Sequence, residues 1–306
     1  MNWSGVPMGI PSNRFEAAAG KDARKTRHTV ILCLASTLAL SACGARNGDA
    51  EVQRAMQDLS AVESMNLNDV MLTVGDAEES VKYFNGALAN DPTRVDLQRG
   101  LAKSLVRAGR ATEAVTTWQL VVANPGSNLD DRVDMADAQI RANNWDAAAV
   151  TLNAIPPTHE TFNRYKLEAM IADSKQQWDK ADSFYQTAVG LTTTPASTMN
   201  NWGYSKLTRG DYPGAERMFT DALRQDSTLF TAKNNLILAR GAQRKYDLPV
   251  VPMTQIERAQ LLYTLALTAI KQNDVATGKG LLREAIDTHP QHFEEAARSL
   301  RALEEA

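Results

Sequence analysis

The side chains able to bind a soft metal or carry redox chemistry are few: 2 cysteines and 4 histidines in 306 residues. Both cysteines, Cys33 and Cys43, lie in the first sixth of the chain, so the rest can hold neither a disulfide framework nor a Cys-based metal site. Beyond Cys43 the histidines are His159, His289 and His292. His289-Pro290-Gln291-His292 has the spacing of a ligand pair, but Pro290 blocks a helical i, i+3 alignment and no cysteine lies near to complete a site. The chain has no phosphate-cradling Gly loop, no Gly-x-Ser-x-Gly elbow and no His-Glu-x-x-His. Its carboxylates are dispersed, as on solvated helix faces. We therefore expect no catalytic residue, no metal, no cofactor and no small-molecule substrate. Lys and Arg number 33 against 36 Asp and Glu, a formal charge of -3, and basic residues do not cluster beyond the first 28 positions, which argues against nucleic acid as a partner.

The chemistry that remains belongs to Cys43. Lys21, Arg24, Lys25 and Arg27 precede an uncharged stretch, Thr29 to Ala45, rich in Val30, Ile31, Leu32, Leu34, Leu38 and Leu40. This is a basic segment followed by an apolar one, somewhat shorter than the ~20 apolar residues of a stable membrane span, which favours cleavage. Its end, Leu40-Ser41-Ala42-Cys43-Gly44, resembles the bacterial lipobox. The resemblance implies thioether-linked diacylglycerol and an amide-linked acyl chain on Cys43, an anchor that several buried chains make essentially permanent. An ordinary signal-peptidase site is the alternative. Gly44 in place of Asp points to the outer membrane. The expected boundaries are a signal peptide with a long leading segment over 1–42 and a lipidated N-terminus and tether over 43–60.

The body that such an anchor would hold is all-helical in pattern, with helix formers in amphipathic spacing and punctuation every dozen or so residues. It also repeats. The best-formed unit runs Asn201-Trp202-Gly203, Gly210-Asp211-Tyr212, then Ala215, Phe219 and Ala222. Small residues recur opposite large ones: Ser80 with Phe84, Ala114 with Trp118, Ala148 with Leu152, Ala181 with Tyr185, Gly278 with Leu282. Close crossing of two helices demands that pattern, because a ridge needs a groove. Trp145, Trp178, Tyr212 and Tyr246 lie 33, 34 and 34 residues apart. This resembles the tetratricopeptide repeat, and it implies a right-handed α-solenoid of about six to seven helical hairpins with a polar-faced capping helix at the C-terminus. The array is expected over 61–247, a Pro-containing linker over 248–253, where Pro249 and Pro252 rule out a helix, and a last unit with its cap over 254–306.

In such arrays one face of each first helix lines the concave surface. Carried onto this register, that face holds Asp96, Arg99 and Lys103, then Asp137, then Lys166 and Met170, then Asn200 and Tyr204, then Asn234. Asn200 and Asn234 are 34 residues apart and should stack one repeat above the other, each offering a donor and an acceptor to an extended peptide. Neighbouring Asn201 and Asn235 read as helix-turn hydrogen bonders. Arg99, Lys103 and Lys166 could engage carboxylates of a partner, with solvated surface the equal alternative.

A lipobox followed directly by an array, together with the run Asn234-Asn235-Leu236-Ile237-Leu238-Ala239 and Tyr246-Asp247, resembles the TadD family of tight-adherence (Flp) pilus assembly over residues 29 to 303. The resemblance implies an outer-membrane lipoprotein facing the periplasm that binds protein partners such as a secretin. The alternatives are a type IV pilotin-like or outer-membrane biogenesis lipoprotein, or an adaptor of periplasmic cell-wall enzymes.

Overall fold

The structure is a computed structural model that describes residues 67–305; the signal segment, Cys43 and the tether lie outside the described residues. Among the described residues there are helices and no strand. In chain order they are α1 (67–73), α2 (Ala77–Asn90), α3 (Val95–Arg107), α4 (Ala111–Ala123), α5 (Leu129–Arg141), α6 (Trp145–Asn153) and α7 (Phe162–Ser174). There follow α8 (Trp178–Gly190), α9 (Ala196–Thr208), α10 (Tyr212–Gln225), α11 (Phe230–Ala242), α12 (Gln255–Lys271), α13 (Val275–Thr288) and α14 (Glu294–Glu304). Apart from α11, consecutive helices pair as antiparallel hairpins, each with a first (A) and a second (B) helix, and α14 packs on α13.

Local chemistry starts these helices where they start. Asp76 caps α2 by accepting from the Glu78 and Glu79 N–H groups, and Asn128 with Asp131, then Thr254 with Glu257, form reciprocal capping boxes on α5 and α12. The turn from A to B helix recurs in the backbone. Gly109, Asn143, Gln176, Gly210, Arg244 and Asn273 all adopt positive φ, 34, 33, 34, 34 and then 29 residues apart. The next residue in each turn donates its N–H five residues back, as in Arg110 to Leu105 and Asp211 to Lys206 (both 2.9 Å). That bond closes the orphan carbonyls at the end of the A helix.

Small against large holds neighbouring helices together, between hairpins as well as within them. Phe84 lies fully buried against Gly100, where a Cβ would sit 2.3 Å from its ring, and Phe219 lies against Gly203, where the distance would be 2.6 Å. Ala102, Ala136 and Ala169 are fully buried at the position that Gly203 holds on α9. The apolar core runs as a series of clusters along the stack rather than as one body.

Two further features shape the stack. First, α3 touches α5, α5 touches α7 and α9 touches α11, while no successive B helices touch comparably among the described residues. The A helices therefore lie on the inside of the curve. Second, α11 makes its turn at Arg244 but has no B helix: residues 243–254 are not helical, and α12 packs directly against α11. Leu248, Val251 and Met253 fold inward from this strap onto the neighbouring cores, and Val250 points fully into solvent.

Candidate functional site

Register lays out the inner wall. One column of positions is 99, 133, 166, 200 and 234; a second, one helical turn on, is 103, 137, 170, 204 and 238. Ala266 of α12 takes the place of Gly203, which carries the second column on to Leu267.

In α3 and α5 the wall is charged and satisfied within the chain. Arg99 makes a two-pronged ion pair with Asp131 (2.6 and 2.7 Å) and also donates to the Gly126 carbonyl (2.8 Å). Asp131 is almost fully buried and caps α5, so this pair staples one repeat to the next. Lys103 Nζ lies 3.6 Å from Asp134, whose carboxyl burial pushes above its ordinary range, with Lys103 opposing. Asp137 pairs with Arg141 at 2.6 Å, Asp96 pairs with Arg94, and Val133 is buried. The carboxylates expected from a partner are here supplied by the chain itself.

From α7 onward the wall changes. Lys166 Nζ approaches the Asn163 amide oxygen (3.5 Å) and lies 5.5 Å over the Phe162 ring, with no carboxylate at ion-pair distance among the described residues. Asn200 is buried, and its amide oxygen accepts from Asn235 Nδ2 at 3.0 Å. Asn234 Oδ1 accepts from Thr264 Oγ1, also at 3.0 Å. The two bonds are one interaction repeated: a side chain in the upper repeat donates to the amide one position earlier in the repeat below. This corrects one expectation: Asn235 does not bond within its own helix turn. Through their oxygens Asn200 and Asn234 act as rungs between A helices.

Beside the rungs lie Met170 and Leu238, half-buried, and Tyr204 and Leu267, 36% and 43% exposed. Leu238 and Leu267 escaped the sequence reading, although adding the 34-residue period to Tyr204 reaches the first and the small residue Ala266 marks the second.

Where α8 meets α9 the packing is polar. Asp173 accepts from Tyr185 Oη (2.8 Å) and Ser205 Oγ (2.6 Å), and burial raises its pKa. Asp182 accepts from Trp202 Nε1 (2.6 Å), Lys206 (3.2 Å) and Arg209 (2.6 Å). Burial acts upward on Asp182, and these donors more than offset it, holding the carboxyl below its usual value.

His289 and His292 face different partners, the Gln291 carbonyl and the Glu294 carboxylate. Among the described residues no group of three or more His, Cys, Asp and Glu side chains could hold a metal ion, and no helix is long and apolar enough to cross a membrane.

A family model for the tetratricopeptide repeat matches residues 71–128. The fold is similar to that of a tetratricopeptide repeat protein from Parabacteroides merdae, 14% identical, with a TM-score of 0.52 over 80% of this chain and 99% of that one. It is similar also to the C-terminal part of a TPR repeat-containing protein from Cytophaga hutchinsonii, 13% identical, with a TM-score of 0.50 over 77% and 98%. A chain of the APC/C hetero-tetramer Cut9–Hcn1 aligns at 13% identity and a TM-score of 0.56 over 77% of this chain and 48% of that one, so the present chain spans about half its length. Such identities speak for the fold alone. No curated protein matches the sequence.

Proposed function

We infer that this tetratricopeptide array is a protein-interaction scaffold held on the outer membrane, facing the periplasm, by lipid on Cys43, and that it assists the assembly or localisation of a Flp/Tad-type pilus secretion system. One observation carries the reading. A single chain joins Leu40-Ser41-Ala42-Cys43-Gly44 to an array whose inner wall presents side chains suited to contact. A tether confines such a wall to the layer where a secretin assembles and raises its effective concentration there without any new contact. The acyl chains make that confinement lasting.

Metabolic labelling with an alkyne fatty acid tests the anchor: wild type takes up label and fractionates with the outer membrane, and Cys43→Ala does neither. Deletion of the gene tests the assignment: surface pili disappear and the secretin stays monomeric. Labelled, correctly fractionated protein with normal pili and altered cell-wall hydrolysis would replace the pilus assignment with the cell-wall adaptor.

A further inference from the structure

The apolar column on the second half of the inner wall has a geometry that limits what can cover it. Met170, Tyr204, Leu238 and Leu267 stand at equivalent places on α7, α9, α11 and α12. Packed helices have axes about 8–10 Å apart. A ligand crossing the A helices therefore meets one apolar position about every 10 Å. Seven residues of α-helix rise about 10.5 Å and return to nearly the same face. An extended strand covers that distance in about three residues, and its third residue faces the opposite way.

Hydrogen bonding narrows the choice further. An extended ligand brings unpaired backbone N–H groups that need acceptors once water is displaced. The amide oxygens beside the column, Asn200 Oδ1 and Asn234 Oδ1, each already accept one bond, from Asn235 and Thr264, and Asn200 is buried, which leaves them poor partners for a ligand backbone. A helix satisfies its own backbone and needs none. Charge adds the last constraint. Lys166, at the α7 end of the column, faces an amide and an aromatic ring rather than a carboxylate, whereas the wall cations of α3, Arg99 and Lys103, have theirs.

Resting on the scaffold reading, we propose that residues 170, 204, 238 and 267 form the docking surface for an amphipathic α-helix of the partner protein. That helix carries apolar side chains seven residues apart and an acidic side chain at the end that meets Lys166. Tyr204 and Leu267 supply the exposed area, and Leu238 lies at the centre, where burial on docking is most complete.

The test places a photoreactive benzoylphenylalanine at position 204, 238 or 267, and at 103 as a control, in the full chain within its native cell. Mass spectrometry then identifies the partner residues captured, and a synthetic peptide of that segment is titrated against the purified array. The expected result is one partner segment, captured from 204, 238 and 267 at residues about seven apart and helical when bound by circular dichroism. Leu238→Glu, checked for native helicity, weakens the peptide at least tenfold, and Tyr204→Ala weakens it severalfold. Lys166→Glu also weakens it, and exchanging the facing acidic residue of the peptide for Lys restores it. Capture of an extended or proline-rich segment, or capture from 103 alone, overturns the helix proposal and leaves the scaffold standing. Capture from none of the four positions overturns both.

Discussion

On α3 and α5, wall positions 99, 103 and 137 are Arg, Lys and Asp, each with an oppositely charged neighbour at 2.6 to 3.6 Å. On α9, α11 and α12 the places matching 103 and 137 hold Tyr204, Leu238 and Leu267, and those matching 99 on α9 and α11 hold the rung amides Asn200 and Asn234. Beneath both walls a buried ring fills the place of a missing Cβ, Phe84 of α2 against Gly100 at the seam between two hairpins and Phe219 of α10 against Gly203 within one. Packing fixes the small and large positions and leaves the wall free to differ. The first half joins repeats with the ion pairs of Arg99 and Lys103, while the second joins them with amide and hydroxyl rungs and keeps apolar groups outward.

The sharpest way to break this contrast is Arg99→Ala. It leaves the nearly fully buried Asp131 carboxylate without its cation and should destabilise by about 2–3 kcal/mol. Thermal unfolding should fall by about 5–10 °C, with faster amide exchange confined to α3–α5. A loss spread evenly along the array would mean that the repeats are not joined locally.

Gly100→Ala and Gly203→Ala should each cost about 1–2 kcal/mol, because the added methyl meets a buried ring that cannot retreat. Unequal losses in a denaturant titration of the two variants would show that the seam between hairpins at Gly100 and the seam within one at Gly203 do not hold equally.

Acid should separate Asp182 from Asp134 by sign. Asp182 is held below its ordinary pKa, so it stabilises the fold above that value and loses the contribution as pH falls through its depressed pKa. Asp182→Asn is therefore destabilising at pH 7, by about 1 kcal/mol, and neutral in strong acid. Asp134 is held above its ordinary pKa, so its ionised form opposes folding once the pH exceeds the raised value. Asp134→Asn should raise the midpoint at pH 7 by about 1–2 °C, a few tenths of a kcal/mol, with the gain disappearing below the usual carboxylate range. Identical pH profiles for the two variants would remove the distinction.

The smallest effect belongs to the proposed docking surface. Tyr204→Ala should shift stability by less than about 0.5 kcal/mol, as for other surface changes, while reducing capture of a partner. A large loss of stability would reassign Tyr204 to the fold.

The hairpin solenoid was legible because its determinants are residue sizes at fixed spacing, and Ala114 with Trp118 or Gly203 with Phe219 survive in the bare sequence. The α11 irregularity was legible too, since Pro249 and Pro252 forbid a helix on chemical grounds. The rungs were not. Asn200 pairs with residue 235 rather than 234, and that offset depends on how each repeat is rotated over the last, which no single repeat encodes. The Arg99–Asp131 staple spans 32 residues and depends on the same rotation. The A-to-B turns were half visible: Gly109 and Gly210 announce positive φ, whereas Gln176 and Arg244 adopt it only because the hairpin imposes it.

The proline strap after α11 carries a consequence for how such a chain can grow. A stack of identical modules can be lengthened by duplicating one of them, because each copy presents the next with the same seat. Here the translation is interrupted: α12 sits against α11 without an intervening B helix, and the turn-to-turn interval falls from 34 to 29 residues. A module copied across that seam would find no matching seat. Duplication across the segment between Arg244 and α12 is thereby barred, and growth by copying must fall to one side of that seam or the other.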